Sequence, residues 1–244
     1  MGTAQARHTA REQEAQDPSV GARGWRRQAI SLTGPMVVCR AVEARVAVLA
    51  SGEGTNLQAL LDDPVVGPRV VLVVSDRPAA GALERASRFG VRAVYLDPTL
   101  QGSREAYDRA LLDILRDARI DHVCLAGFLR ILTPELVRAF EARILNVHPS
   151  LLPAFPGAHA PRDALAWGAK VTGATVHFVD EEVDHGPIVL QESVAVEDDD
   201  DEESLHARIQ DVEHRLYPRA VRLWLEGRLE IEGRTVRVRS KVAG

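Results

Sequence analysis

The fold is decided by the stretch RVAVLASGEGTNLQALL, residues 45–61. Its apolar start is typical of a strand buried on both faces, and Leu57 to Leu61 have the pattern of a helix. The turn between them, Ser51 to Asn56, carries two glycines, and backbone N–H groups at a helix start can bind phosphate. The turn lacks the third glycine of a dinucleotide fingerprint and the Gly-Lys-Ser/Thr of a P-loop. A phosphate site and a plain tight turn are therefore equally good interpretations of these residues.

The same alternation of short apolar strands and amphipathic helices continues along the chain. Further strands are predicted at residues 70–74, 93–96, 122–126 and 144–147, with helices at 83–89, 103–118 and 134–140. Two more strands, 175–179 and 188–191, follow without a full helix between them; a long helix over 203–226, kinked at Pro218, and a hairpin around Gly233 come last. The sequence thus predicts an α/β fold, with a mostly parallel central sheet flanked by helices and an antiparallel C-terminal part.

Composition separates the start of the chain from the rest. Residues 1–43 are polar, without a sustained hydrophobic period, and are predicted to be a disordered N-terminal extension. Residues 44–244 are predicted to form a single domain, with halves at about 44–145 and about 146–232. The acidic run 197–203 is interpreted as a solvated loop.

Bulk properties exclude several classes of protein. The chain has 244 residues, a formal net charge of −5, 45% hydrophobic and 27% charged residues, which is ordinary for a soluble globular protein and argues against general nucleic-acid binding. No apolar run approaches the ~20 residues of a membrane helix, and the lack of a long apolar h-region near the start argues against a secretory signal. Cys39 and Cys124 form neither a disulfide framework nor a metal cluster, so a reducing, cytoplasmic setting is expected.

Asn146 and His148 carry the most informative polar pattern. They lie two residues apart at the end of a predicted strand and should project from one face. An imidazole oriented by a carboxylate, for which Asp184 is the candidate, can move protons near neutral pH, and an amide N–H can stabilise an oxyanion. No Ser or Cys nucleophile stands nearby, so the pattern favours acyl transfer to a nucleophile supplied by the substrate. The alternative is a satisfied structural histidine. His177, on a predicted strand, is interpreted as a structural or hydrogen-bonding histidine.

Five motifs in order resemble a known family. They are SGEGTNLQ (51–58), AGFLRIL (126–132), LNVHPSLLP (145–153), DHGPI (184–188) and EHRLYP (213–218). Together, over residues 45–232, the chain resembles the phosphoribosylglycinamide formyltransferase family, folate-dependent enzymes of purine biosynthesis. The resemblance implies a Rossmann-like formyltransferase fold with a nucleotide-binding first half and a catalytic, folate-binding second half. It also implies 10-formyltetrahydrofolate as co-substrate, no metal, small-molecule substrates rather than nucleic acid or membrane, and a monomer or homodimer.

The resemblance also implies roles for individual residues. His148 would be the acid/base, Asn146 would contact the formyl group, and Asp184 would hold the His148 ring and favour its charged form. The residues implied for glycinamide ribonucleotide are Gly54, Thr55, Asn56, Gln210, Asp211, Val212 and Glu213. Those implied for folate are Arg104, Leu129, Arg130, Ile131, Leu132, Asn146, Asp180, Glu181, Glu182, Val183 and Asp184.

Some positions depart from the family pattern, and other readings stay open. Ala160 and Pro161 replace a more polar pair in the predicted loop after Pro153, and His185 stands where a second glycine is common. Methionyl-tRNA formyltransferase is similar but has a separate C-terminal domain. Few residues follow the predicted long helix here, so such a domain is not expected. Formyltetrahydrofolate hydrolase is similar but has a regulatory domain before the catalytic one, for which residues 1–44 are short and polar. A non-catalytic nucleotide-binding module would need the 51–56 turn but not Asn146, His148 and Asp184.

Overall fold

The computed structural model describes residues 44–240. The extension predicted for residues 1–43, with Cys39, lies outside the described residues, as do residues 241–244. Within the described range no helix is long and apolar enough to cross a membrane.

The described chain alternates strands and helices as far as the fifth strand. The strands are β1 (Val46–Leu49), β2 (Val70–Ser75), β3 (Arg92–Tyr95), β4 (His122–Leu125), β5 (Ile144–His148), β6 (Val171–Phe178), β7 (Ile188–Ala195), β8 (Leu229–Glu232) and β9 (Thr235–Val238). The helices are α1 (Thr55–Asp62), α2 (Gly81–Arg88), α3 (Arg104–Asp117), α4 (Pro134–Ala139), α5 (Ala160–Trp167) and α6 (Glu202–Leu225). Two short 3-10 turns lie at Gly67–Arg69 and Pro98–Leu100.

All nine strands form one sheet in the order β3-β2-β1-β4-β5-β6-β7-β9-β8. Neighbours from β3 to β5 are parallel, whereas β6 is antiparallel to both β5 and β7, and β8 is antiparallel to β9. The predicted mostly parallel sheet with an antiparallel C-terminal part is confirmed. The strand order reverses beside β1, and in such sheets ligands bind at the carboxyl ends of the strands where this reversal occurs.

The first strand explains why helices cover both faces of the sheet. Val46 and Val48 pack into one buried cluster with α1, α2 and α6, while Ala47 and Leu49 pack into a second cluster with α3 and α4. All four side chains are fully buried, as the continuous apolar run predicted. On the α6 side, the buried Tyr217 hydroxyl lies 3.0 and 2.9 Å from the carbonyl oxygens of Leu125 and Leu145, which fixes α6 against β4 and β5.

Local signals set the ends of the helices. Ser103 caps α3 by accepting a hydrogen bond from the Ala106 N–H at 3.1 Å, as predicted. Asp201, at the end of the acidic run, caps α6 and forms a reciprocal capping box with Ser204. Pro218 lies inside α6, and the kink at that point stays a prediction.

The structure corrects the reading of residues 150–195. Ala160 and Pro161 do not lie in a loop but begin α5, where proline at the first turn lacks only an N–H that would be unpaired anyway. Strand β6 begins at Val171, four residues before the predicted start, and β7 continues to Ala195. The two longer strands pair with each other at seven positions. This pairing favours the longer strands, and it cannot be read from the sequence of either strand alone.

Candidate active site

A cavity of about 700 Å³ opens at the carboxyl ends of the parallel strands. The loops after β1, β4, β5 and β6 line it, and α6 closes one side. Most residues predicted for the site line this one cavity: Gly54, Thr55, Asn56, Leu129, Arg130, Ile131, Leu132, Asn146, His148, Asp180, Glu181, Glu182, Val183, Asp184, Gln210 and Glu213.

Three predicted residues lie outside the lining. Arg104 begins α3 with a half-exposed side chain, 3.8 Å from Glu105. Val212 is buried in the core, and Asp211 is exposed. Helix geometry explains the last two, because residues three and four apart share a face: the cavity face of α6 consists of His206, Gln210 and Glu213.

His148 is buried at the centre of the cavity, held from both sides of its ring. Its Nε2 lies 2.9 Å from the carbonyl oxygen of Phe155, which can only accept, so Nε2 carries a hydrogen. Its Nδ1 lies 3.4 Å from Oδ2 of Asp184. The hydrogen bond that orients the ring is therefore the one that Nε2 donates to the Phe155 carbonyl. Nδ1, beside the carboxylate, is the nitrogen available for proton transfer.

Asn146 is oriented by His177, which the sequence predicted to be a structural or hydrogen-bonding residue outside the site. Its Nδ2 lies 3.2 Å from Nε2 of His177, whose Nδ1 lies 2.8 Å from the carbonyl oxygen of Phe178. That carbonyl fixes the hydrogen on Nδ1, so Nε2 accepts from the Asn146 amide. Burial lowers the pKa of His177, which favours this neutral form. One amide hydrogen of Asn146 is thus used, and the other is available to a ligand.

Asp184 reaches the centre from the loop after β6. The residue has a left-handed backbone (φ 51°), and its Oδ2 accepts a hydrogen bond from the Gly157 N–H at 2.7 Å. Its Oδ1 lies 3.7 Å from Nε2 of His177. The carboxylate therefore lies beside both His148 and His177, and the predicted grouping of Asn146, His148 and Asp184 in space is observed.

The 51–56 turn is fixed by close backbone packing. Gly54 has φ +77°, and a Cβ there would lie 2.7 Å from Cα of Ala82; a Cβ on Gly81 would lie 2.8 Å from the carbonyl oxygen of Glu53. The Ser51 N–H donates to the Gly127 carbonyl at 3.0 Å, and the Ser51 hydroxyl accepts from the Leu129 N–H at 3.0 Å. The turn at the start of α1 is thereby joined to the loop after β4, and its free N–H groups make it suited to an anion.

A buried carboxyl group stands behind this turn. Glu213 is 4% exposed, and its Oε2 accepts a hydrogen bond from Nδ2 of Asn56 at 2.8 Å. Burial raises the pKa of Glu213 to about 7, against the lowering effect of the Asn56 hydrogen bond. The Oδ1 atom of Asn56 is buried and has no hydrogen-bond partner within residues 44–240. An acceptor left unpaired in a cavity wall is suited to a ligand donor, because burying it unpaired is costly.

The opposite wall of the cavity consists mainly of apolar side chains and main-chain atoms. Leu129, Ile131 and Val183 are exposed hydrophobic side chains around the mouth of the cavity. The Arg130 guanidinium packs over the buried Tyr107 ring, 4.2 Å from its centroid, which fixes the loop after β4. A flat, partly apolar ligand with polar edges fits such a wall. Among the described residues no group of three or more His, Cys, Asp and Glu side chains is arranged to hold a metal ion.

Sequence reasoning did not place three residues in the site: two histidines and a phenylalanine that acts through its carbonyl oxygen. His177 could have been found only from the antiparallel register that places it opposite Asn146. His206 lies four residues before Gln210, so helical spacing from Gln210 could have predicted that it faces the cavity. Phe155 acts through its main chain, for which a side-chain pattern carries no signal.

Known proteins are similar to this chain in sequence and in fold. A family model described as formyl transferase matches residues 44–221. The phosphoribosylglycinamide formyltransferase of Escherichia coli (strain K12) is 43% identical over 190 residues, which make up 76% of this chain and 89% of that protein. The crystal structure of glycinamide ribonucleotide transformylase 1 from Symbiobacterium toebii is 54% identical with a TM-score of 0.78, over 80% of this chain and 93% of that one.

Much longer proteins contain a similar segment. The trifunctional purine biosynthetic protein adenosine-3 of Drosophila melanogaster is 47% identical over 188 residues, which are 75% of this chain but 14% of that protein's length. The matched family model covers both the 51–56 turn and the cluster of Asn146, His148 and Asp184. By the extent of these matches, the chain belongs to the formyl transferase family.

Proposed function

We propose that this chain transfers the formyl group of 10-formyltetrahydrofolate to the amine of N1-(5-phospho-D-ribosyl)glycinamide. The products are N2-formyl-N1-(5-phospho-D-ribosyl)glycinamide and tetrahydrofolate, a step of purine (IMP) biosynthesis. The observation that carries the proposal is the His148 ring, anchored through Nε2 with Nδ1 beside Asp184, in the same cavity as the Asn146 amide that His177 orients. The names of the relatives support the choice of acceptor.

The two ends of the cavity suit the two substrates. The N–H groups of Gly54, Thr55 and Asn56 would bind the phosphate, with Gln210 and Glu213 facing the rest of the ribonucleotide. The apolar mouth around Leu129 and Ile131, with the loop 180–184, would receive the folate ring system. This arrangement brings an amine from one end and a formyl group from the other towards His148.

The chemistry requires one bond to form and one to break. Asn146 and the protonated His148 donate hydrogen bonds to the oxyanion that forms when the amine nitrogen attacks the formyl carbon. The bond from the formyl carbon to the folate N10 then breaks. The proton lost by the amine nitrogen reaches N10 through His148, Asp184 or a water molecule. The nucleophile belongs to the substrate, so no covalent enzyme intermediate is formed.

The first test is the reaction itself. Purified protein with both substrates should form the N-formyl product, and His148→Ala should lower turnover by on the order of 10²-fold or more. The control is the variant's affinity for glycinamide ribonucleotide, measured at equilibrium. It should stay near the wild-type value, because His148 is not among the residues proposed to bind the phosphate. Wild-type turnover in His148→Ala would contradict the assignment.

The same proposal includes the setting of the enzyme. We expect a cytoplasmic enzyme, monomeric or homodimeric, that binds small molecules rather than nucleic acid or membranes. Fully buried Cys124, whose pKa is raised by burial, is consistent with an inert thiol in a reducing compartment.

A further inference from the structure

The C-terminal hairpin contacts the end of the loop after β6 at His185, a residue that departs from the family pattern. We call residues 179–186 the co-substrate loop, because residues 179–184 of it line the cavity on its folate side. At its end, Nδ1 of His185 lies 2.7 Å from Oδ2 of Asp180. From the β8–β9 hairpin, Arg234 donates through Nη2 to the His185 carbonyl at 2.6 Å and places Nη1 3.0 Å from Nε2 of the ring.

The hydrogens on this chain of contacts can be assigned. A carboxylate only accepts, so Nδ1 of His185 carries the hydrogen donated to Asp180. Nη1 of Arg234 lies 3.0 Å from Nε2 and also 3.4 Å from Nδ1, so the guanidinium lies against the face of the imidazole rather than in line with one ring nitrogen. The imidazole therefore links a carboxylate of the loop to a cation of the hairpin. A glycine at position 185 would lack the ring that makes this link.

The linked carboxylate also organises the loop internally. The other oxygen of Asp180 accepts a hydrogen bond from the Glu182 N–H at 3.0 Å. The loop must return closely past the end of β6, since a Cβ on Gly186 would lie 1.8 Å from the carbonyl oxygen of Phe178. Asp184 lies between these two fixed points but has an anchor of its own, the Gly157 N–H at 2.7 Å, so the link through Asp180 and His185 bears on the folate side of the cavity rather than on the carboxylate beside His148.

We infer that Arg234 and His185 are positioning residues that hold the co-substrate loop in its binding geometry. They act through Asp180 and do not contact the reacting atoms. Their effect falls on the KM for the formyl donor, because the loop they fix forms the folate side of the cavity. The identity of that donor rests on the proposed function, whereas the mechanical link between hairpin and loop does not.

Arg234→Ala tests the link against a control from the same hairpin. Arg237 is 69% exposed and pairs with Glu232 at 3.2 Å, within the hairpin, so Arg237→Ala should behave as wild type. Arg234→Ala should raise the KM for 10-formyltetrahydrofolate by roughly three- to tenfold, the effect of losing one or two charge-assisted hydrogen bonds, with kcat and the KM for glycinamide ribonucleotide little changed. Arg234→Lys, which keeps one donor, should recover part of the loss.

A double-mutant cycle separates the link from independent surface effects. His185→Ala should also raise the KM, and the double variant should show less than the product of the two single increases, since both changes break the contact through the His185 ring. An increase equal to that product would overturn the inference. Equal increases for Arg234→Ala and Arg237→Ala would overturn it as well.

Amide hydrogen exchange of the free protein gives a readout that requires no turnover. Exchange in residues 179–186 should be faster in Arg234→Ala and His185→Ala than in wild type, and unchanged in Arg237→Ala. Unchanged exchange in both linked variants would refute the positioning role even in an active enzyme. A wild-type protein without transferase activity would refute the proposed function while leaving the exchange result to judge the link.

Discussion

The two ends of the cavity are held in place by different forces. At the end where we propose that the phosphate binds, called the phosphate end, the 51–56 turn packs backbone to backbone against the start of α2, where Gly54 meets Ala82 with no room for a Cβ. At the folate end, the co-substrate loop is held by exposed side chains, including Arg138, which pairs with Glu181 at 2.7 Å. Packing in a core tolerates little change, whereas surface ion pairs contribute little stability. The phosphate end is therefore rigid, and the folate end is adjustable.

Gly54→Ala should break the rigid end and have the largest effect on stability and substrate binding. A residue with φ +77° and a Cβ 2.7 Å from Cα of Ala82 must shift the turn, at a cost of roughly 2–4 kcal/mol of unfolding free energy. The KM for glycinamide ribonucleotide should rise by about tenfold or more, because the phosphate N–H groups move with the turn. Steady-state kinetics and denaturant unfolding measure the two effects.

Gly102→Ala is the matched control for that change. Gly102 has φ +74°, nearly the same backbone conformation, but nothing lies within 4 Å of an added Cβ. It should lose only about 1 kcal/mol and keep the wild-type KM. Equal losses at both positions would show that backbone strain, rather than close packing, sets the phosphate end.

Glu213→Gln tests the phosphate end through the pH dependence of the unfolding free energy. The raised pKa of Glu213 means that the folded state holds a proton that the unfolded state loses, so this stabilisation is complete below the unfolded value near 4.5 and is lost as pH rises through about 7. Gln keeps an acceptor for Asn56 but does not titrate. Unfolding free energy of the wild type should therefore fall relative to Glu213→Gln by about 2–3 kcal/mol between pH 5 and 8. Parallel curves for the two proteins would contradict a buried, protonated Glu213.

Arg138→Ala probes the adjustable end and should have the smallest effect on stability. The Arg138 side chain is 70% exposed, so loss of its pair with Glu181 should cost less than about 1 kcal/mol. The KM for the formyl donor should still rise, by about two- to threefold, because the loop loses a point of attachment. Arg88→Ala, which removes an equally exposed pair with Glu84 away from the cavity, is the control and should change neither quantity.

The rigid end of the site was readable from sequence, and the adjustable end largely was not. The run 45–61 predicted a buried strand, a glycine turn and a helix, and all three are observed, because their signals lie in adjacent residues. Helix α5 was missed although Pro161 near its start and Gly168 after its end, with φ +76°, are ordinary helix signals.

Contacts between distant segments explain the remaining gaps. The role of His177 depends on its pairing opposite Asn146, and the link from Arg234 to His185 joins segments that are 49 residues apart. Neither follows from the period or composition of one segment. The resemblance named Arg104, Asp211 and Val212 as site residues, but their side chains do not line the cavity, and their roles stay predictions.

The most direct test of the central claim is a comparison of formyl acceptors. Purified protein is given 10-formyltetrahydrofolate with glycinamide ribonucleotide, with initiator methionyl-tRNA, or with water alone, and the formylated product or formate is measured. The phosphate-binding turn, together with His148, Asn146 and Asp184, predicts rapid transfer to the ribonucleotide and none to the tRNA. Transfer to the tRNA, release of formate without an acceptor, or binding of the ribonucleotide without turnover would each contradict the account.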